Sequence, residues 1–252
     1  MSNASDAADA QRPFPSFEDL KSAQTIIWKS PAGFRLFWSL DGPFPEAISV
    51  MQDRHNPTSL TPYFSNGTWH PISQEPISVP KISSITVGVD KIDDWEDAWE
   101  DCHEAHGEMG DRQEGRWYGA LEDCEYDPQD EDRGSRLLCC CGEPRPRNKK
   151  VRIVVRPASG TFVTAHDYLS TLHLWLMGMK EDIRRSTDVW QCGLTDMMVE
   201  SNGLNCLGVE EKSDWIRHAS IVVNPTARRP ELLSYFGPGF GPEYMPDFGQ
   251  QS

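Results

Sequence analysis

An apolar stripe between residues 164 and 185 must be buried against other parts of the chain if the protein is to fold. Its apolar side chains recur every three or four residues, which is the spacing of one face of an α-helix. They are Leu169, Leu172, Leu176, Met179 and Ile183. Thr164 and Asp167 stand at the start in the arrangement of a capping box. We therefore predict one continuous amphipathic helix over residues 164–185.

Short apolar segments rich in β-branched and aromatic residues predict the strands that cover this helix. They occupy residues 24–28, 34–40, 81–89 and 151–155. The first two flank the sequence Ser-Pro-Ala-Gly, so we predict that they pair as a hairpin. The resulting fold class is α+β, with a short, mostly antiparallel sheet packed on one long amphipathic helix.

The negative charge of the chain is concentrated in one segment. The 252 residues carry a net charge of −15, and residues 90–132 hold 18 acidic and 3 basic side chains. The rest of the chain is balanced, and its basic residues are dense just after the acidic segment, over residues 133–156. A helix with tryptophans on one face is predicted over residues 93–108. The remainder, to residue 148, shows little periodicity and predicts an irregular excursion from the domain.

Two interpretations of the acidic segment stay open. The acidic and basic side chains pair with one another or are simply solvated. Alternatively, the acidic segment docks a protein partner that has a basic surface. In either case the net charge disfavours nucleic acid as a partner, because the phosphate backbone would repel this chain.

The ends of the chain differ in composition from its middle. Residues 1–15 are polar and lack the apolar core of a secretory signal, so we predict a disordered tail. Residues 16–223 are predicted to form a single domain with the excursion at 90–148, followed by a Pro-, Gly- and aromatic-rich tail over 224–252. No apolar run approaches the roughly 18 residues of a membrane span. We expect a cytoplasmic or nuclear protein without membrane insertion, and the oligomeric state stays open.

Cysteine and histidine residues in the acidic segment and shortly after it suggest a metal site. Cys102 and His106 are four residues apart on one helical face, and Cys124 and Cys140 offer two further zinc ligands. However, the segment contains no C-x-x-C motif, and three adjacent cysteines cannot all point at one ion. Tryptophans share the helical face with the first two candidates, which favours packing. We therefore expect no bound metal and no cofactor.

Catalytic candidates are few. His166 and Asp167 resemble a base with an orienting carboxylate, but they lie in a first helical turn, where Asp usually caps. His173 is the third candidate, and we interpret it as a half-buried side chain. The chain has no phosphate-binding glycine loop and no recognisable nucleophile motif.

The C-terminal tail has one regularity. Aromatic residues recur every four positions between residues 236 and 248, but the Gly and Pro residues between them exclude a helix. These rings either cover the apolar surface of the domain or dock on a partner as a linear peptide. The binding residues predicted for the acidic segment and the tail are Asp123, Glu125, Asp127, Asp130, Phe240 and Tyr244.

Residues 161–183 and 202–218 carry the patterns V-T-x-H-D-Y, W-L-M and, later, E-K-x-D-W. With these patterns the chain resembles an uncharacterised family of ascomycete fungal proteins. The resemblance spans about a quarter of the chain, counted from residue 161 to residue 218. It implies a fungal origin and a recurring α+β module. No activity and no catalytic residue come with it.

The sequence supports two classes of function. The first is a non-catalytic intracellular interaction or scaffold protein that uses the acidic segment and the aromatic tail. The second is a small-molecule-binding enzyme or accessory protein of a fungal biosynthetic pathway, with a pocket lined by Trp and His. The first is favoured because no catalytic motif is recognisable. A pocket of roughly several hundred Å³ with convergent polar groups would favour the second.

Overall fold

The computed structural model of the chain describes residues 14–108, 115–121, 135–147, 150–189 and 193–221. The strands are β1 (Trp28–Lys29), β2 (Leu36–Trp38), β3 (Ile48–Met51), β4 (Leu60–Pro62), β5 (Phe64–Ser65), β6 (Thr68–Trp69), β7 (Ser78–Val79), β8 (Ile85–Val89), β9 (Trp117–Ala120), β10 (Ser135–Cys140), β11 (Glu143–Pro144), β12 (Ile153–Val155), β13 (Met197–Gly203) and β14 (Cys206–Glu211). The helices are α1 (Phe17–Ser22), α2 (Pro31–Phe34), α3 (Asp90–Asp93), α4 (Trp95–Glu108), α5 (Ala165–Gly178), α6 (Lys180–Asp188) and α7 (Lys212–Ala219). A 3₁₀ turn spans Pro71–Gln74.

The largest sheet has four strands in the order β12-β8-β14-β13. Strands β8 and β14 are parallel, and the two outer pairings are antiparallel. Among the described residues the smaller sheets are all antiparallel. The predicted α+β class is therefore confirmed, with strands distributed over several small sheets.

The apolar stripe of the sequence lies in the main core. Helix α5 packs against β12 and the 3₁₀ turn. Leu169, Leu172, Leu176 and Ile183 are all fully buried. The start of α5 has the predicted capping box: the Thr164 side chain accepts from the Asp167 backbone N–H, and Asp167 bonds back to residue 164.

One detail of this helix prediction is wrong, because the helix is interrupted. Helix α5 ends at Gly178, and Met179 has φ −111° and ψ 8°, outside the helical region. Its N–H donates to the carbonyl of Leu176, three residues back, which tightens the last turn. Glycine has low helix propensity, so a break beside Gly178 costs little. Helix α6 then starts at Lys180.

The predicted hairpin of residues 24–28 and 34–40 is also wrong. Strand β1 pairs with β7, and strand β2 pairs with β3. The intervening segment forms the short helix α2, in which the Ser30 side chain accepts from the N–H of Gly33 and Pro31 occupies the first helical position. Ser followed by Pro is a helix start as well as a turn signal, and here the helix start prevails.

The acidic segment contains the predicted helix, α4, preceded by the single turn α3. Three of its described acids pair with the basic stretch that follows. Arg145 bonds to both Glu96 and Glu100, and Arg152 bonds to Asp93. Where an irregular excursion was predicted, strands β9, β10 and β11 form an antiparallel sheet. The pairing interpretation therefore holds for these side chains.

Within the described part of the chain, no helix combines the length and apolarity needed to cross a bilayer. The predicted tails over residues 1–15 and 224–252 lie largely or entirely outside the described residues.

Candidate functional site

Two carboxylates face the same side of the β13–β14 hairpin. Glu210 lies opposite Met198, and Glu200 lies opposite Gly208. Because side chains alternate along a strand, Glu200 and Glu210 project from the same face as diagonal neighbours. The opposite face carries apolar residues of the main core, namely Met197, Val199, Leu207 and Val209.

Helix α7 places a histidine over this pair. It follows β14 directly and packs on both strands of the hairpin. Trp215 and His218, three residues apart, lie on neighbouring positions of one helical face. Trp215 is buried against Met198 and Met51 in a small second core. This packing directs His218 to Glu210, and their Nδ1 and Oε2 atoms are 2.8 Å apart.

The surroundings of Glu210 favour a neutral carboxyl group, or a hydrogen-bond donor bound to its carboxylate. Burial raises the pKa of Glu210, the charge of Glu200 raises it further, and His218 opposes both effects. The second oxygen, Oε1, is buried and has no hydrogen-bond partner among the described residues. A buried acceptor without a donor costs free energy, about 1–3 kcal/mol. Ligand atoms of Glu200, Glu210 and His218 lie within 4.8 Å of one another, so the trio has the donors of a divalent-cation site.

A lysine of depressed basicity lies near the carboxylates. Lys29 belongs to β1, and burial lowers the pKa of its ammonium from 10.5 to about 8. The charge of Glu200 raises this pKa and that of Arg54 lowers it. The Phe34 ring lies beside both cations, with its centroid 5.2 Å from the Lys29 Nζ and 3.6 Å from the Arg54 guanidinium carbon.

These groups line one cavity of about 550 Å³. Its size is in the range of small-molecule sites, roughly 300–1,000 Å³. Aromatic side chains form much of the wall, namely Phe34, Trp38, Tyr168 and Trp215. His55 and His218 also contribute, and a His55 ring nitrogen contacts the carbonyl of Ala219 at 3.2 Å. The wall of the cavity thus contains Trp and His side chains together with the charged groups of Lys29, Glu200 and Glu210.

Two of the predicted catalytic residues, His166 and Asp167, lie away from this cavity. The Asp167 carboxylate accepts bonds from Thr164 and from the backbone N–H of Ala158, and these bonds hold the start of α5. His166 packs among aromatic rings and its Nδ1 is 3.2 Å from the Tyr63 hydroxyl. The structure therefore does not bring the carboxylate of Asp167 to the ring of His166.

The third predicted residue, His173, is fully buried in the core. The indole N–H of Trp38 donates to its Nδ1 at 2.9 Å, and its Nε2 lies 3.0 Å from the carbonyl of Gly42. An indole can only donate, so Nδ1 is the acceptor and Nε2 carries the proton. Burial lowers the pKa of His173, which keeps this tautomer neutral. Both ring nitrogens make hydrogen bonds within the core. The ring is fully buried, whereas a half-buried position was predicted.

A second group of metal-ligating side chains lies beside helix α4. Ligand atoms of His103, Cys140 and Cys141 fall within 4.8 Å of one another. Of the zinc ligands considered from sequence, Cys140 belongs to this group. Cys102 instead donates its thiol to the carbonyl of Val189, at 3.3 Å. Cys124 and the side chain of His106 lie outside the described residues.

The predicted protein-binding residues also fall outside the described residues. They are Asp123, Glu125, Asp127, Asp130, Phe240 and Tyr244. The cavity residues, in contrast, were not singled out from sequence. One signal for them existed: a charged residue is rarely buried unless it is paired, and Glu200 and Glu210 directly follow the apolar residues of their strands.

Comparison of the chain with protein-family models, with curated proteins and with solved structures finds no significant match.

Proposed function

We propose that the protein binds a small molecule in the 550 Å³ cavity, and that this ligand combines an apolar ring with an amine. The buried Oε1 of Glu210 carries the proposal, because it accepts no hydrogen bond from the described residues. A donor on the ligand would satisfy this oxygen and remove its desolvation cost. The aromatic walls would cover the ring of the ligand.

Charge favours a cationic donor over a neutral one. Glu200 and Glu210 repel each other, which contributes to the raised pKa of Glu210. A cation between two carboxylates relieves that repulsion and is stabilised by both. Lys29 interacts with Glu200 rather than supplying a hydrogen bond to Glu210. An ammonium group on the ligand therefore complements this side of the cavity.

The same groups suit proton transfer. The histidine–carboxylate pair of His218 and Glu210 is a common arrangement for a general base. Lys29, with its pKa of about 8, exchanges a proton near neutral pH. These features support the enzyme or accessory-protein function. They do not select a reaction, so binding is the property to test first.

Three indoles that differ in one group provide the test: tryptamine, tryptophol and indole-3-acetate. They share a ring and carry an amine, an alcohol and a carboxylate. We expect calorimetric titration at neutral pH to rank tryptamine first and indole-3-acetate last. Glu210→Gln should weaken tryptamine binding by about 10–100-fold, because it loses a charge-assisted hydrogen bond.

The matched control is Glu46→Gln, which removes an exposed carboxylate that is not among the residues lining the cavity. This variant should bind tryptamine like the wild type. Equal affinity for the three indoles, or no binding of any at millimolar concentration, would contradict the proposal. So would stoichiometric Mn²⁺ binding that is lost in Glu210→Gln, because the carboxylates would then serve a metal.

The interaction function remains a separate proposal. It rests on the acidic residues of the segment from 122 to 132 and on the aromatic tail. Three acids of α3 and α4, Asp93, Glu96 and Glu100, already pair within the chain. The acidic surface available to a partner is therefore smaller than the composition suggests. A basic partner would therefore have to bind through the remaining acids.

A further inference from the structure

The β10–β11 hairpin is fastened to helix α4 by one arginine. Arg145 follows β11, and its guanidinium bonds to Glu96 at 2.7 Å and to both oxygens of Glu100 at 3.0 and 2.7 Å. Glu96, Glu100 and His103 are spaced by four and three residues, so they lie on one face of α4. The arginine thus aligns the tip of the hairpin with the next turn of the helix, where His103 is buried.

The tip of this hairpin is a two-residue turn, Cys141-Gly142, between the paired residues Cys140 and Glu143. Both turn residues have positive φ, 54° for Cys141 and 81° for Gly142. Positive φ at both positions is the requirement of a type I′ turn, which favours Asn-Gly or Gly-Gly. Cysteine is an unfavourable choice at the first position, because its Cβ crowds the backbone in the left-handed region. A residue that lies in this conformation against its own preference points to a use for its thiol.

This turn also brings two successive thiols together. In a regular strand Cys140 and Cys141 would point to opposite faces. With Cys141 in the left-handed conformation, the two Sγ atoms are 3.7 Å apart. A zinc ion bound tetrahedrally at about 2.3 Å from each sulfur places the two sulfurs about 3.8 Å apart. The thiols therefore already have the separation of two zinc ligands.

We propose that His103, Cys140 and Cys141 form a Zn²⁺ site. An imidazole and two thiolates are preferred zinc ligands, and two thiolates neutralise the charge of the ion. Their ligand atoms lie within 4.8 Å of one another, so tetrahedral geometry needs a small inward shift of the imidazole. His103 and Cys141 line a cavity of about 580 Å³, which leaves room for a water or a ligand in the fourth position.

This trio differs from the ligands considered from sequence. His103 replaces its helical neighbour Cys102, whose thiol is bonded to Val189. The three adjacent cysteines do not all point at one place: Cys139 pairs across the sheet with Trp117 and projects from the other face of β10. The site is also independent of the amine-binding cavity, since the two cavities share no lining residue among those described.

The test begins with the full-length wild-type protein, purified with a reductant, stripped by a chelator and titrated with Co²⁺. We expect one equivalent to bind with a thiolate-to-cobalt charge-transfer band, and Zn²⁺ to displace it. X-ray absorption at the zinc edge should show two sulfur ligands at about 2.3 Å. This measurement needs no variant, so it does not depend on whether a substituted protein folds.

Variants then identify the ligands. Cys140→Ser and Cys141→Ser should each weaken Co²⁺ binding by about 100-fold or more and reduce the charge-transfer band to that of a single thiolate. His103→Gln should weaken binding while retaining the two-thiolate band. Cys139→Ser is the matched control, because it removes the adjacent thiol from the other face and should leave binding unchanged.

Three results would overturn the zinc site. They are an absorption spectrum fitted by nitrogen and oxygen alone, a wild-type protein that binds Co²⁺ without the charge-transfer band, and a Cys139→Ser variant that loses as much affinity as Cys140→Ser. Failure here leaves the indole titration unaffected, because that experiment concerns the other cavity.

Discussion

Burial makes the charge of Lys29 depend on pH in the range in which proteins are usually assayed. Its pKa is about 8 in the folded protein and about 10.5 when the side chain is solvated. Between these values the unfolded chain binds a proton that the folded chain does not. The free energy of unfolding must therefore rise as pH increases from 8, because folding no longer requires burial of a charged ammonium.

Lys29→Met removes this titration. We expect the wild type to gain stability between pH 8 and pH 10 relative to Lys29→Met, in urea unfolding curves followed by tryptophan fluorescence. Above pH 10 both proteins lose stability, because burial raises the pKa of Tyr63 and Tyr168 and their unfolded forms ionise first, and this loss cancels in the comparison. A difference between the two proteins that stays constant over this range would show that the Lys29 ammonium is not buried.

The core stripe is tested by two leucines on one helix. Leu176 is fully buried, whereas Leu174 is 67% exposed. Leu176→Ala should lower the free energy of unfolding by about 2–5 kcal/mol, through lost burial and the cavity left behind. Leu174→Ala should change it by about 0.5 kcal/mol or less. Chemical denaturation of both variants measures the two changes in the free energy of unfolding. Equal changes would contradict the assignment of Leu176 to the buried face of α5.

At the scale of elements, the start of α5 depends on one carboxylate. Asp167 accepts bonds from the backbone N–H of Thr164, from its hydroxyl at 2.6 Å, and from the N–H of Ala158. It therefore fixes the incoming loop as well as the helix. The predicted catalytic residue acts as a structural one in these contacts.

Asp167→Ala should destabilise the protein by about 1–2 kcal/mol, since the capping box and the partly buried N–H of Ala158 both lose their acceptor. Asp182→Ala is the control: it removes an exposed acid from the first turn of α6, where the cap lacks a side-chain bond. Thermal melts of the two variants give the comparison. A small effect of Asp167→Ala would mean that water replaces its contacts.

At the scale of the whole molecule, the acids of the segment divide into those that pair within the chain and those predicted to bind a partner. Three of the described acids of the segment pair with Arg145 and Arg152, while Asp123, Glu125, Asp127 and Asp130 are the acids predicted to meet a basic partner. Exposed charges are screened within about 8–10 Å at physiological ionic strength. A partner held by these acids must therefore dissociate as salt rises.

Replacing these four acids by Asn or Gln should slow association with a basic partner more than it speeds dissociation. Pull-downs from a fungal extract with the wild type and the quadruple variant, followed by surface plasmon resonance on a captured partner, provide the measurement. Identical partners for both proteins at low and high salt would show that the acidic run is a solvated face.

Local patterns in the sequence predicted the elements well where a period was clear. The four-residue and three-residue spacing of leucines predicted α5 and its buried face, the spacing of tryptophans predicted α4, and apolar β-branched runs predicted β8 and β12. The α+β class follows from these elements. Each of these inferences concerns residues within one helix or strand, and backbone geometry sets the spacing of side chains there.

Tertiary structure decided which strands pair and which side chains form the two candidate sites. Strand β1 pairs with β7 rather than with its neighbour in sequence, so Lys29 faces the cavity beside Glu200. Likewise, His103 meets Cys140 because Arg145 holds a distant hairpin against α4. Periodicity within a window of sequence contains no information about which distant surface covers an element. That choice depends on the packing of the whole core, and it determines which polar side chains converge.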